Sequence, residues 1–177
     1  MEKTNTIVVN LYGGPGTGKS TMMSAIFTEL KYLGINCEVA PEYAKEKVWA
    51  EHLSSLEDQL YIFAKQQNRI WRLNGKVDVI ITDSPILFSI IYGARMKQSF
   101  KTLVVEQHLL YNNFNVYLNR VNSYQSEGRL QDEAGAIEID KRIITLLDEV
   151  REPYSKMDAD KSSVPLIVEQ ILKLLKD

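Results

Sequence analysis

The chain has 177 residues and a formal net charge of −2, with 45% hydrophobic and 25% charged residues. That is a globular balance with room for a substantial core, which excludes wholesale disorder. The charge gives no global attraction to nucleic acid or an anionic membrane.

In chain order, Thr6-Ile7-Val8-Val9-Asn10-Leu11-Tyr12 is β-branched and apolar and reads as a buried strand. The next stretch, Gly13-Gly14-Pro15-Gly16-Thr17-Gly18-Lys19-Ser20, fits the phosphate-binding pattern G-x-x-x-x-G-K-[ST] at every fixed position. Thr21 and the apolar residues after it keep helical spacing, so a helix is expected from about Lys19 to Leu33, ended by Gly34. Strand, glycine loop and helix are the order the motif requires. Glycines let the backbone approach a ligand, successive N–H groups form an anion nest, and the helix adds its positive dipole end. Lys19 is expected to reach the β- and γ-phosphates of ATP, and Ser20 to ligate Mg²⁺.

Ile35 to Ala40 alternates and reads as a second strand, broken by Pro41-Glu42-Tyr43; Ala44 to Ala50 follows as a short helix. Ser54 or Ser55 is expected to cap a helix from about Leu56 to Asn74, with Leu56, Leu60, Phe63, Ile70 and Leu73 on its apolar face. Val77 to Thr82 is the strongest strand signal, apolar as a strand covered on both faces should be, and Asp83-Ser84-Pro85 stands at its carboxyl end. Helical sequence fills Ile86 to Asn112 with a break near Gln98-Ser99, and Phe114 to Leu118 reads as strand four. After a polar stretch, helical period returns from Ile137 to Val150. Tyr154 to Asp158 reads as a fifth strand and Val164 to Leu175 as a terminal helix. Alternating strands and helices give an α/β class with a parallel sheet and one domain, 1–177. The single cysteine, Cys37, forms no internal disulfide. With no leader pattern and no long apolar run, a cytoplasmic protein without membrane contact is expected.

Ligands of such sheets bind at the carboxyl ends of the strands, where the loop, Glu42 and Asp83 all fall. Asp83 reads either as a Mg²⁺ partner of Walker-B type or as a helix cap. Glu42 reads either as the general base for an acceptor hydroxyl or as a solvated residue opening a helix. Phe63 with Gln66 or Gln67, beside Arg69, suits recognition of a planar base; the alternative puts Phe63 in the core and both amides in water. Arg120 and Arg129, in the polar stretch at about 120–135, suit a mobile lid whose arginines meet the transferring phosphate. An exposed charged loop is the plainer reading. His52 and His108 show no partner pattern, and no Cys/His metal cluster is present.

These residues resemble the nucleoside and nucleotide kinase branch of phosphate-loop proteins. Gly13–Ser20 followed by Pro41-Glu42-Tyr43-Ala44 looks like the ribosylnicotinamide-kinase-type ATPase domain. The Ala40-Pro41-Glu42 step and Phe63–Gln66 resemble deoxynucleoside kinases, where a Glu after strand two is the base and a Gln on the third helix reads the nucleobase. The tail from Asp158 to Val164 resembles the thymidylate-kinase ending. One departure is Asp83-Ser84, where those kinases often carry an acidic residue followed by Arg.

The resemblance implies a three-layer P-loop NTPase fold with sheet order 2-3-1-4-5 and a mobile lid. It also implies ATP- and Mg²⁺-dependent transfer of a γ-phosphate to a nucleoside, nucleotide or related base-bearing acceptor, with a hydroxyl favoured. Two other readings are a kinase acting on 5-hydroxymethyluracil in DNA and an ATPase switch with a protein partner. The net charge does not indicate DNA, but a flipped base could enter the same pocket. A monomer or a homodimer through the apolar helices of Ile86–Asn112 is expected.

Overall fold

The structure, a computed structural model, describes residues 4–50, 52, 56–121 and 132–176. Arg129 and the expected caps Ser54 and Ser55 lie outside the described residues. The described residues form five strands: β1 (Ile7–Tyr12), β2 (Cys37–Val39), β3 (Val79–Thr82), β4 (Asn112–Asn119) and β5 (Tyr154–Asp158). Between and after them run α1 (Lys19–Tyr32), α2 (Tyr43–Trp49), α3 (Gln59–Trp71), α4 (Phe88–Tyr92), α5 (Gln98–Leu109), α6 (Glu133–Glu149) and α7 (Ser163–Leu174). All strand pairs are parallel, and the sheet order is β2-β3-β1-β4-β5. This is the P-loop NTPase topology, with β1 central.

Alternation along β1 builds the three layers. Ile7, Val9 and Leu11 join Met22, Ile26 and Leu30 of α1 and Ile167, Val168 and Ile171 of α7 on one face. Val8 and Tyr12 join Phe63 and Ile70 of α3, Phe100 and Val104 of α5, and Ile139 and Ile143 of α6 on the other. Each fully buried side chain of this size, such as Ile26 or Ile167, contributes about 1.5–3 kcal/mol relative to exposure. The register Ile7↔Val79 and Ile7↔Asn112 brings the carboxyl ends of β3, β1 and β4 to one edge, which positions the site.

Several boundaries differ from the sequence expectation for local reasons. The α3 cap is Asp58, whose side chain accepts from the Tyr61 N–H at 3.0 Å; the helix therefore starts at Gln59, and Leu60 is 52% exposed. The apolar residues of Ile86–Asn112 split into α4 and α5 around Gly93. Leu87, Phe88, Ile91, Phe100 and Val104 are spent on the chain's own core. Gly34 takes φ +77 just past α1, and its N–H closes on the Lys31 carbonyl at 3.0 Å. His108 does have a partner: its buried Nε2 lies 2.9 Å from Glu152 Oε2, a residue the spacing could not point to. Among the described residues, no helix is long and apolar enough to cross a membrane.

Candidate functional site at the carboxyl edge of the sheet

The loop 13–20 leaves β1 and enters α1 at Lys19. Gly18 makes that entry in the left-handed region (φ +103), which a residue with a Cβ adopts only at a cost, so the position favours glycine. Thr17 is buried, and its hydroxyl donates to the Gly14 carbonyl at 2.7 Å, fixing the loop's curvature. Lys19 Nζ donates to the carbonyls of Gly13 and Gly14 at 2.7 and 2.9 Å. Burial lowers its pKa; the carboxylates of Glu42, Asp83 and Asp140 pull it back up, and Arg120 adds to the lowering.

Asp83 follows β3 and is 3% exposed. Its Oδ2 accepts from the Ser20 hydroxyl at 2.6 Å and its Oδ1 from the Glu42 N–H at 3.0 Å. It does not cap the next helix; it ties α1, β3 and the corner before α2 into one unit. Among the described residues no cluster of three or more His, Cys, Asp or Glu could hold a metal. The hydroxyl of Ser20 and the carboxylate of Asp83 are adjacent hard oxygens, a set that suits Mg²⁺ shared with phosphate oxygens and water.

Glu42 stands at the N-cap of α2 but makes no side-chain capping bond, so its carboxylate is not used to start the helix. Burial raises its pKa, Lys19 opposes that, and Asp83 adds to it. The carboxylate faces a cavity of about 440 Å³ that runs from Lys19 and Ser20 to an apolar wall including Ile62, Phe88 and Tyr92.

On α3 the cavity face is Gln59, Ile62 and Gln66, the i, i+3, i+7 stripe. The expected pairing of Phe63 with Gln66 is therefore corrected by helical phase. Phe63 is a core residue, edge-on to Phe100 at 5.7 Å. Gln66 does reach the cavity, but its amide is engaged: Oε1 accepts from the Tyr43 N–H at 3.0 Å, and Nε2 lies 3.4 Å from Ala40 O and Thr82 Oγ1. Gln67 turns to α5, donating to Gln107 at 3.0 Å and accepting from the Tyr111 hydroxyl at 2.6 Å. Arg69 is tied to Pro41 O at 3.0 Å and to Glu46 at 2.7 Å, away from the cavity.

Arg120, just after β4, does come to the loop. One of its terminal nitrogens lies 2.9 Å from Asp140 Oδ2 and 3.4 Å from Thr17 Oγ1. Pro15, Gly16, Gly18 and Thr21 line the cavity's loop side. The sequence reading missed Asp140, Gln59, Phe88 and Tyr92. The stripe 59-62-66 was open to periodicity, whereas nothing in the spacing links Asp140 to a loop 126 positions away.

Residues 8–163 match the family described as AAA domain. No curated protein matches the chain.

Proposed function

The chain belongs to the AAA domain family, and on that premise we propose that it is an ATP- and Mg²⁺-dependent kinase. It transfers the γ-phosphate to a hydroxyl of a nucleoside, nucleotide or related base-bearing acceptor. Family membership supports nucleotide binding and hydrolysis; the acceptor is our own reading. The observation that carries it is Glu42. Its carboxylate sits between the phosphate loop and an aromatic-walled cavity, with no hydrogen bond or ion pair among the described residues. The part of that cavity beyond the loop, walled by Ile62, Phe88 and Tyr92, is the space in which this reading seats an acceptor.

In this reading Lys19 and the backbone N–H groups of Gly16, Gly18, Lys19 and Ser20 hold the β- and γ-phosphates; Pro15 has no N–H, and that of Gly14 is taken by Asp140. Ser20 and Asp83 would hold Mg²⁺, which supplies charge neutralisation on the phosphate oxygens. Glu42 takes the proton of the acceptor hydroxyl as its oxygen bonds to the γ-phosphorus. The bond from that phosphorus to the β,γ-bridging oxygen breaks, and ADP leaves. Burial brings the Glu42 pKa closer to the working pH, which suits a general base. Arg120 stands within reach of the loop and would offset charge in the loose transition state. Arg129 would share that role, on the sequence alone.

The test is ADP production from Mg·ATP across a panel of nucleosides, deoxynucleotides, nicotinamide riboside, and DNA with or without hydroxymethylated bases. Stimulation by one class, with product mass locating the new phosphate, is the expected result. Steady ADP release that no acceptor changes would replace the kinase by an ATPase switch.

A further inference from the structure

The phosphate loop carries a carboxylate on its outer side that the reaction above does not use. Asp140 of α6 accepts the Gly14 N–H at 2.5 Å through Oδ1, and Arg120 at 2.9 Å through Oδ2. The same Arg120 nitrogen lies 3.4 Å from Thr17 Oγ1, and Thr17 donates back to Gly14 O at 2.7 Å. Gly14, Asp140, Arg120 and Thr17 thus close a ring around the front of the loop. The side chains of Asp140 and Arg120 are each only 15% exposed. α6 comes this close because Gly14 has no side chain: a Cβ there would stand 2.6 Å from the Ala136 carbonyl oxygen and 2.8 Å from Asp140 Oδ1.

A carboxylate in this place is electrostatically adverse. A polyanion must bind a few ångströms away, in partly buried surroundings where charges interact strongly. A neutral acceptor would also satisfy the Gly14 N–H, with a weaker bond. What the negative charge adds is a counter-charge for the guanidinium. We propose that Asp140 is a positioning residue of the nucleotide site: it sets Arg120 against Thr17 at the front of the phosphate loop. Asp140 does not itself touch the nucleotide; it fixes where the cation that meets the phosphates stands. An Arg held by a carboxylate loses less side-chain freedom when a phosphate arrives than one free in solution.

The inference rests on the nucleotide-binding part of the reading above and is independent of the acceptor. The experiment is titration calorimetry of Mg·ATP with the wild-type protein, Asp140→Asn, Arg120→Gln and the double variant, with melting temperatures measured beside it. Asn keeps an oxygen for Gly14 but carries no charge. Each single variant is expected to bind ATP about tenfold or more weakly, the loss of one hydrogen bond to a charged group. The double variant is expected to bind no more weakly than Arg120→Gln alone, because Asp140 acts through Arg120. Losses that add in the double variant, unchanged affinity in Asp140→Asn, or tighter binding there would each overturn the inference. Should Asp140→Asn not fold, Asp140→Glu carries the test. It keeps the charge but moves it by one methylene; weakened binding is expected, and wild-type affinity would overturn the inference. Absence of ATP binding by the wild-type protein would overturn both this inference and the nucleotide-binding reading.

Discussion

The Ser20 hydroxyl donates to Asp83 Oδ2 at 2.6 Å, so the last residue of the phosphate loop and the end of β3 are joined by one short hydrogen bond. The other oxygen of the same carboxylate accepts from the Glu42 N–H. Removing Asp83 therefore touches the proposed metal site and the base together. Asp83→Ala is expected to lower turnover at least about a hundredfold, as loss of a preorganised electrostatic partner does. It should also cost about 1–3 kcal/mol of stability, because the Glu42 N–H loses its acceptor. Steady-state ADP release and thermal unfolding read the two effects. Near-normal turnover with a lowered melting temperature would make Asp83 a structural tie alone.

Lys19 separates activity from stability in the opposite sense. Burial disfavours its charged form, which lowers its pKa in the folded protein. A base with a lowered folded pKa costs stability wherever it is ionised, so the charge is a cost at neutral pH. Lys19→Met keeps most of the volume. It is expected to lose at least about a hundredfold in turnover with a smaller fall in melting temperature than Asp83→Ala, because removing the buried charge offsets the hydrogen bonds lost at the Gly13 and Gly14 carbonyls. Retained turnover would remove Lys19 from the phosphate site.

Glu42 predicts a pH dependence. Its raised folded pKa means that the native state holds this proton more tightly than the unfolded chain does. Stability from this group is therefore lost as pH rises from the ordinary carboxyl value through the raised one. Glu42→Gln should be more stable than wild type at neutral pH, and the difference should vanish in acid. The same variant should lower kcat with little change in ATP affinity and lose the acidic limb of the pH–rate profile. Equal loss of ATP binding would place Glu42 at the metal instead. A phosphate acceptor, which needs no base, would leave kcat little changed.

Phe63 tests the correction on α3. Its ring is 5% exposed and packs on Phe100, so Phe63→Ala should cost about 3–5 kcal/mol, while Phe63→Leu should cost less and leave the acceptor KM unchanged. A raised acceptor KM in Phe63→Leu would return the ring to the acceptor site.

Gly14 tests the approach of α6 to the loop. A methyl at this position would meet the Ala136 carbonyl oxygen at 2.6 Å, which is backbone and cannot swing aside. Gly14→Ala is expected to cost about 1–3 kcal/mol by overpacking and to weaken ATP binding, read by thermal unfolding and calorimetry. Wild-type stability would mean that α6 yields freely.

The phosphate loop, the α/β class, and the placement of Glu42 and Asp83 at one edge of the sheet were legible in the order of the amino acids. Those features are local: a glycine pattern, an apolar run without alternation, and a charged residue at the end of a strand each leave a mark within a few positions. Helix α3 was legible as a helix. Its direction was not, because Ile62, Phe63, Gln66 and Ile70 are all buried, and with two buried faces the phase of the apolar residues does not say which one meets the cavity. That Gln66 braces Tyr43 and that Gln67 turns to α5 followed from packing in three dimensions, and the fold is the source of the next contact as well. It alone decided that Asp140, from a helix far along the chain, stands against Gly14. Such contacts depend on where the sheet carries each element in space, and sequence spacing holds no record of a distance closed by folding.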